Sequence, residues 1–186
     1  MYNTNVKDQF EQFFQDQTKF TLGVCNGCQM LSNLKQIIPD AEYWPSFKRN
    51  LSDQFEARLA QVKIEKTNSV LLENMEDWMV PVASAHGEGR ATFKNDDLIE
   101  LQANNQVAMR FVDSDGEGSE IYPINPNGSP EGITGITAAN GRITIMMPHP
   151  ERVFRKHQMS WHNKEWQEFS PWMQIFINAR NFSEGK

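Results

Sequence analysis

The sequence has few cysteines, no blocks of like charge and no long apolar run. The two cysteines among its 186 residues stand three apart, so a stabilising disulfide framework is not expected. Like charges form no blocks, and 18 Lys and Arg against 24 Asp and Glu give a net charge of −6, which argues against nucleic acid or an anionic membrane as the main partner. No apolar run approaches a membrane span, and the first residues, MYNTNVKDQF, lack the pattern of a signal sequence. We therefore expect a soluble, cytoplasmic protein.

A chain of this length can bury a core of its own, and we expect one domain over residues 1–186. Apolar spacing predicts an amphipathic helix that ends near Asp16, and a second helix over 25–38, stopped by Pro39. A third helix is predicted to start at Ser170, with Pro171 in its first turn. Strand patterns occupy 20–24, 55–66, 80–84, 107–112, 133–137 and 142–147, the last two flanking the hairpin signal Asn140-Gly141. The whole is read as one α/β domain.

The segment TLGVCNGCQML, residues 21–31, places Cys25 between a short buried strand and a helix. The spacing Gly23-x-Cys25-x-Gly27 is typical of a nucleophile elbow, with sulfur in place of a serine oxygen. Such a turn is strained, and we expect side chains at positions 23 and 27 to collide with the adjoining strand and helix. The free N–H groups at the start of the helix should favour the thiolate.

Three other readings of Cys25 have to be weighed against this one. It could be a packed thiol, as most free cysteines are. With Cys28 it forms a CxxC at a helix start, which is also where a thioredoxin-like redox pair lies. The same pair could bind zinc if two histidines joined it. Residues elsewhere in the chain must decide among these possibilities.

The residues that decide among these readings are His149 and Glu151, in the segment MMPHPER. A thiolate that attacks an amide needs a histidine as base and acid, and the histidine needs a partner that fixes its orientation. Residues before proline favour extended conformations, so both side chains are predicted to lie on the same side of an extended segment. The preceding strand ends where ligands bind in open α/β sheets. A redox pair would need neither residue, and the second CxxC of a tetrathiolate zinc site is absent.

These motifs also carry a resemblance to a known family. GVCNGCQM followed by MPHPER resembles the triad-type (class I) glutamine amidotransferases, and more narrowly the glutaminase domain of phosphoribosylformylglycinamidine synthase. The segments AHGEGR (85–90), NPNGSPEGIT and SPWMQIFINAR resemble the large, multidomain form of that enzyme, and the similarity runs over essentially the whole chain. It implies an α/β fold with an open, largely parallel sheet flanked by helices, and an added antiparallel hairpin region.

The resemblance implies a catalytic triad. Cys25 would attack the side-chain amide of L-glutamine to give a γ-glutamyl thioester and ammonia. His149 would move the proton, and Glu151 would orient His149. The domain itself would use neither cofactor nor metal. The ammonia would pass to the synthetase domain of the same enzyme, which uses ATP and Mg to convert formylglycinamide ribonucleotide to its amidine in purine biosynthesis.

The resemblance also implies substrate-binding positions. Gln29, one helical turn past the nucleophile, matches the position that contacts glutamine in this family. The backbone over Gly87, Gly89 and Arg90 would grip the amino acid end of the same substrate. In an elbow of this kind the N–H after the nucleophile, here that of Asn26, is one donor to the oxyanion, and an upstream loop supplies the second.

One departure from the family pattern sets the remaining expectations. Family members begin with strand and helix units, including a loop like GGFSYGD, ahead of the segment that here starts at Met1. We therefore expect a truncated or split domain that lacks the second oxyanion donor, has low activity alone, and self-associates through an unpaired sheet edge or relies on a partner. A catalytically silent structural or interaction module, and a different triad amidotransferase or cysteine hydrolase, stay open as alternatives.

Overall fold

The structure is a computed structural model that describes residues 4–185. The described residues include four α-helices: α1 Thr4–Gln15, α2 Asn26–Asn33, α3 Asp97–Ala103 and α4 Met173–Glu184. The strands are β1 Thr21–Val24, β2 Ser46–Lys48, β3 Glu56–Ile64, β4 Met79–His86, β5 Arg90–Thr92, β6 Val107–Phe111, β7 Ile133–Ala138 and β8 Ile143–Met146. None of the helices in this part of the chain is long and apolar enough to span a bilayer.

Six strands form the main sheet, in the order β1-β8-β7-β6-β3-β4, and β2 pairs with β5 separately. β1 and β8 run parallel, and the other four pairs of the main sheet are antiparallel. The β7–β8 hairpin turns over the four residues between the paired Ala138 and Ile143, of which Ala139 and Asn140 both have φ above +50°. At Gly141 (φ 82°) an added Cβ would overlap the carbonyl of Asn68, so that position needs glycine.

Alternation along the strands sends apolar side chains to both faces of the sheet. On one face, Ile175 of α4 packs in a buried cluster with side chains of β3, β4 and β6, including Val62, Val82 and Phe111. On the other face, helices α1, α2 and α3 contribute Phe14, Leu31 and Leu101 to a cluster with Ile136, Ile143 and Ile145 of the hairpin. Burial of these two faces is the main stabilising contribution to the fold.

The sheet curls so that its two ends approach each other. β4 is an edge strand of the six, yet its residue Ala83 forms a β-bridge with His149, which follows β8 near the other end. The backbone N–H of His149 donates to the carbonyl of Ala83 at 2.7 Å. This closure brings the segments after β1, after β8 and along β4 to one place.

The α/β class, the open sheet flanked by helices and the antiparallel hairpin region are confirmed. The strand directions are more mixed than the expected largely parallel sheet: four of the five described pairs of the main sheet are antiparallel, and for β7 and β8 the short turn between them permits no other pairing. The predicted helix over 25–38 is an α-helix that ends at Asn33, followed by a 3₁₀ turn over Lys35–Ile37. The expected truncation, the extent of the domain and association through a sheet edge stay predictions.

Candidate active site

Cys25 lies in a strained turn between β1 and α2. Its φ of 52° and ψ of −106° fall outside the regions that L-residues commonly adopt. The turn is fixed from both sides, because the N–H of Cys25 donates to the carbonyl of Met146 at 2.9 Å, and the N–H of Gln29 donates to the carbonyl of Cys25 at 3.0 Å. A non-glycine residue held in such a conformation is frequent at catalytic sites. The nucleophile-elbow geometry predicted from the sequence is therefore present.

The two glycines that flank Cys25 differ in their surroundings. A Cβ added at Gly23 would lie 2.5 Å from Leu31 Cδ1 and 2.9 Å from the carbonyl oxygen of Gly27. A Cβ added at Gly27 would meet no atom within 4 Å. The expected collision is thus correct for Gly23 and wrong for Gly27, because Gly27 sits in the first turn of α2, whose outer side there is open.

Two opposing effects act on the Cys25 thiol. Burial is the larger and raises its pKa, while the N–H of Asn26 and the positive charge of Arg152 act to lower it. The carboxylate of Glu151 adds to the increase. The predicted preference for the thiolate at the helix start is therefore outweighed in this structure by desolvation. Burial also raises the pKa of Cys28 well above its ordinary value, and Cys28 lies in the apolar core.

His149 and Glu151 form the predicted pair, with 2.7 Å between Nδ1 and Oε1. The segment is not extended as predicted, since Pro150–Arg152 form a 3₁₀ turn that brings the carboxylate back to the imidazole. Burial acts to raise the pKa of Glu151, but the hydrogen bond from His149 and the nearby Arg152 outweigh it, and the pKa is lowered. Glu151 is therefore an ionised acceptor that fixes the Nδ1–H tautomer of His149.

The fold brings Cys25 and His149 to the same end of the sheet. Val24 and Met146 are partners in the parallel β1–β8 pair, and each candidate residue follows shortly after its strand. Both also contact β4: Cys25 Sγ lies 4.0 Å from the carbonyl oxygen of Ala85, and His149 bonds Ala83. His149 Nε2 is buried and has no hydrogen-bond partner among the described residues. The nitrogen that would exchange a proton is thus unoccupied and sheltered from solvent.

The predicted substrate-binding residues are only partly brought together. Gln29 Nε2 donates to the backbone carbonyl of Glu88 at 2.8 Å, so the turn after Cys25 and the loop over 87–89 are in contact. Asn26 follows Cys25 directly and directs its N–H towards the sulfur. Gly89, the last residue of this loop, is buried, and Arg90 belongs to β5, where it pairs with Lys48. No hydrogen bond within 4–185 joins the Arg90 side chain to Cys25, and Arg90 Nε is buried without a hydrogen-bond partner there.

Sequence reasoning assigned no role to several residues that lie around this site. His86 is buried, and its pKa is lowered to about 4 by burial and by the nearby His149. Asn50 and Asn127 bond the loop that begins at His86. Arg152 lies 3.5 Å from Glu151 and influences the Cys25 thiol. Arg152, His86 and Asn127 each lie in a segment that carried the resemblance, namely MPHPER, AHGEGR and NPNGSPEGIT. Among residues 4–185 no group of three or more His, Cys, Asp or Glu side chains is arranged to hold a metal ion.

Known proteins share this arrangement of elements. The chain is similar to the structure of PurLQS from Thermotoga maritima, with 20% sequence identity and a TM-score of 0.67, over 96% of this chain and 66% of that one. It is also similar to a putative GMP synthase subunit protein from Thermoplasma acidophilum, with 12% identity and a TM-score of 0.52, over 98% of this chain and 66% of that one. The chain thus spans slightly less than two thirds of either structure, and at these identities the likeness concerns the fold.

The sequence itself carries the family relation. The profile of the CobB/CobQ-like glutamine amidotransferase domain matches residues 1–183, which is nearly the whole chain. The match includes the cysteine elbow, the His149–Glu151 pair and the loop that contacts Gln29. This chain belongs to the CobB/CobQ-like glutamine amidotransferase family.

Proposed function

We propose that the protein hydrolyses L-glutamine through a covalent intermediate on Cys25. The sulfur attacks the side-chain amide carbon, the C–N bond breaks, and ammonia leaves with the proton taken from the thiol. Water then attacks the γ-glutamyl thioester, giving glutamate and restoring the thiol. His149 accepts and returns the proton at each step, and Glu151 holds its ring.

One observation carries this proposal: a cysteine in a strained turn at a helix start shares a sheet end with a buried histidine whose Nε2 is unpartnered. Because Nδ1 bonds Glu151, the free Nε2 is the lone-pair nitrogen that a proton acceptor needs. The raised pKa of the Cys25 thiol is consistent with a nucleophile that is deprotonated by its base during attack, rather than one that is ionised beforehand.

Glutamine is favoured as substrate by the family of the chain and by the surroundings of the nucleophile. The N–H of Asn26, which faces the sulfur, can donate to the oxyanion that forms when the amide carbon is attacked. Gln29 and the backbone at Gly87 and Glu88 border the same turn, so the ammonium and carboxylate groups of an amino acid would bind beside polar groups there.

For the fate of the ammonia, we propose delivery to a synthetase that converts formylglycinamide ribonucleotide to the amidine with ATP and Mg, in the cytoplasm. The support is the motif resemblance over GVCNGCQM, AHGEGR, NPNGSPEGIT and MPHPER, together with the fold shared with PurLQS. The synthetase would be the partner of this domain. The glutaminase residues would serve only the glutamine-dependent reaction, because ammonium salts can supply ammonia directly.

The first test compares Cys25→Ala with Cys28→Ala. The Cys25 variant is expected to lose ammonia release from glutamine, while the Cys28 variant keeps it, and a glutamine-like electrophile should label Cys25 alone in the unaltered chain. Labelling of Cys28, or of both equally, would contradict the assignment. In the intact enzyme, Cys25→Ala should abolish glutamine-dependent amidine synthesis and preserve the ammonium-dependent reaction. Absence of both labelling and turnover in the unaltered protein would instead support a catalytically silent module.

A further inference from the structure

Two buried asparagines bond the backbone of residues 86–89, called here the substrate loop. Asn50 makes three of the bonds: its N–H donates to the carbonyl of Gly87 at 2.9 Å, its Nδ2 donates to the carbonyl of His86 at 2.8 Å, and its Oδ1 accepts from the N–H of Gly89 at 2.9 Å. Asn50 is 2% exposed. It thus fixes the backbone direction at three points of the loop with one side chain and its own peptide group.

Asn127 bonds the end of the same loop. Its Nδ2 donates to the carbonyl of Gly89 at 2.9 Å and lies 3.2 Å from Nε2 of His86. Its Oδ1 accepts from both the N–H and the hydroxyl of Ser129, at 3.0 and 2.7 Å. Asn127 is fully buried and every one of its side-chain polar groups has a partner. The residue therefore has one orientation, which a smaller or non-amide side chain cannot reproduce.

His86 fits between these two residues as a neutral ring. Burial and the nearby His149 lower its pKa to about 4, while the buried Glu56 acts to raise it. At neutral pH its Nε2 is therefore the acceptor for Asn127, and its Nδ1 faces the hydroxyl of Ser84 at 3.5 Å. A Cβ at Gly89 would overlap this ring, so the loop passes directly over it. The close approach leaves the loop no alternative path.

These bonds leave one carbonyl of the substrate loop facing the candidate site. The carbonyls of His86, Gly87 and Gly89 are occupied by the two asparagines. The carbonyl of Glu88 instead accepts from Nε2 of Gln29, one helical turn beyond Cys25. Each bond made by Asn50 and Asn127 therefore limits where Glu88 stands relative to Gln29.

We infer that Asn50 and Asn127 are positioning residues that set the conformation of the substrate loop, and through it the affinity for the amino acid end of the substrate. The inference rests on the proposed glutamine hydrolysis. No hydrogen bond among the described residues joins either asparagine to Cys25, so we expect their main effect on substrate binding rather than on the thiol chemistry. Their loss would leave buried backbone groups unpaired, and the loop would pay for its binding conformation when substrate binds.

The test is a comparison of Asn127→Ala with Asn178→Ala. Asn178 is a matched control: it is 3% exposed, and its Nδ2 also donates to two backbone carbonyls, those of Leu71 and Glu73, each at 2.9 Å. Both variants should lose stability in urea. Only Asn127→Ala should raise KM for glutamine, by about tenfold for one lost hydrogen bond, with kcat changed by less than about twofold.

Two further measurements test the inference if Asn127→Ala does not fold. Asn127→Asp keeps the size and the acceptor for Ser129 but loses both donated bonds, so it should raise KM even if the alanine variant fails to fold. The rate of labelling by iodoacetamide, which needs no substrate pocket, should match the unaltered chain. Saturable turnover with an unshifted KM in Asn127→Asp would overturn this inference alone. Absence of any saturable reaction with glutamine in the unaltered chain would overturn the proposed function, and this inference with it.

Discussion

The cysteine elbow and the substrate loop lie side by side, but they are built in different ways. The elbow is held by backbone bonds, those of the parallel pair of β1 with β8 and that from Cys25 to Met146. The substrate loop depends on Asn50 and Asn127, which lie tens of residues away along the chain. The backbone ladder of the sheet thus positions the reacting groups, whereas two buried asparagine side chains hold the surface that would meet the substrate.

The two regions also differ in electrostatics. Around the elbow, the charges of Glu151 and Arg152 are partly exposed, at 43% and 55% of the side chain. Around the substrate loop the partners are buried amides and an imidazole kept neutral by a pKa of about 4. Solvent screens the first group and not the second. Removing a charge at the elbow should therefore have a small effect that depends on salt. Removing an amide at the loop should cost the free energy of a buried hydrogen bond.

Among the substitutions that test this contrast, we expect His149→Ala to have the largest effect on activity. His149→Ala removes the proton acceptor and should lower kcat for ammonia release by about 10²- to 10⁴-fold. His157→Ala is the control, because His157 is exposed and outside the site. Steady-state assays of ammonia release would measure both. A loss of less than tenfold in His149→Ala would mean that the elbow works without this histidine.

A smaller effect separates the two glycines of the elbow. Gly23→Ala should destabilise the protein by about 1–3 kcal/mol, because its Cβ would press on Leu31 and on the carbonyl of Gly27. Gly27→Ala should be neutral or stabilise by about 0.4–1 kcal/mol, since the new methyl meets open space in a helix. Urea unfolding would measure both free energies. Equal destabilisation by the two substitutions would contradict the open space that the structure shows beside Gly27.

Much of the fold could be predicted from periodicity and turn signals. The strand before Cys25, the hairpin at Asn140-Gly141 and the helix after Pro171 appear close to their predicted bounds, because each is encoded by adjacent residues. Strand direction could not be predicted in the same way. The mixed order of the sheet depends on which distant strands meet, and a local pattern is the same for either direction.

The same division applies to the site. The pairing of His149 with Glu151 was predictable because the two residues are two apart, although the 3₁₀ turn that joins them was not. The raised pKa of Cys25 was missed, because burial depends on the tertiary packing that surrounds the helix start. Asn50 carried no signal and Asn127 only its place in NPNGSPEGIT, since an asparagine in a polar segment is usually read as a turn residue.

The smallest effect concerns the charges beside the thiol. Arg152 lowers the pKa of Cys25 and Glu151 raises it, so neutralising each should move this pKa in opposite directions. Arg152→Gln removes the positive charge, raises the pKa, and should slow alkylation of Cys25 at pH below that pKa, where the thiolate fraction limits the rate. Glu151→Gln should lower the pKa and speed alkylation, even though it should impair turnover by releasing His149.

The measurement is the pH dependence of iodoacetamide labelling at Cys25, made in a His149→Gln background so that protonation of the imidazole does not contribute. Arg155→Gln is the matched control, because Arg155 is similarly exposed but its guanidinium pairs with Glu168 at 2.7 Å. Because Glu151 and Arg152 are partly solvated, about 1 M salt should reduce both shifts. If the pKa of Cys25 shifted in the same direction in both variants, the thiol would respond to packing in the Pro150–Arg152 turn rather than to its charges. The elbow would then depend on packed neutral groups, as the substrate loop does.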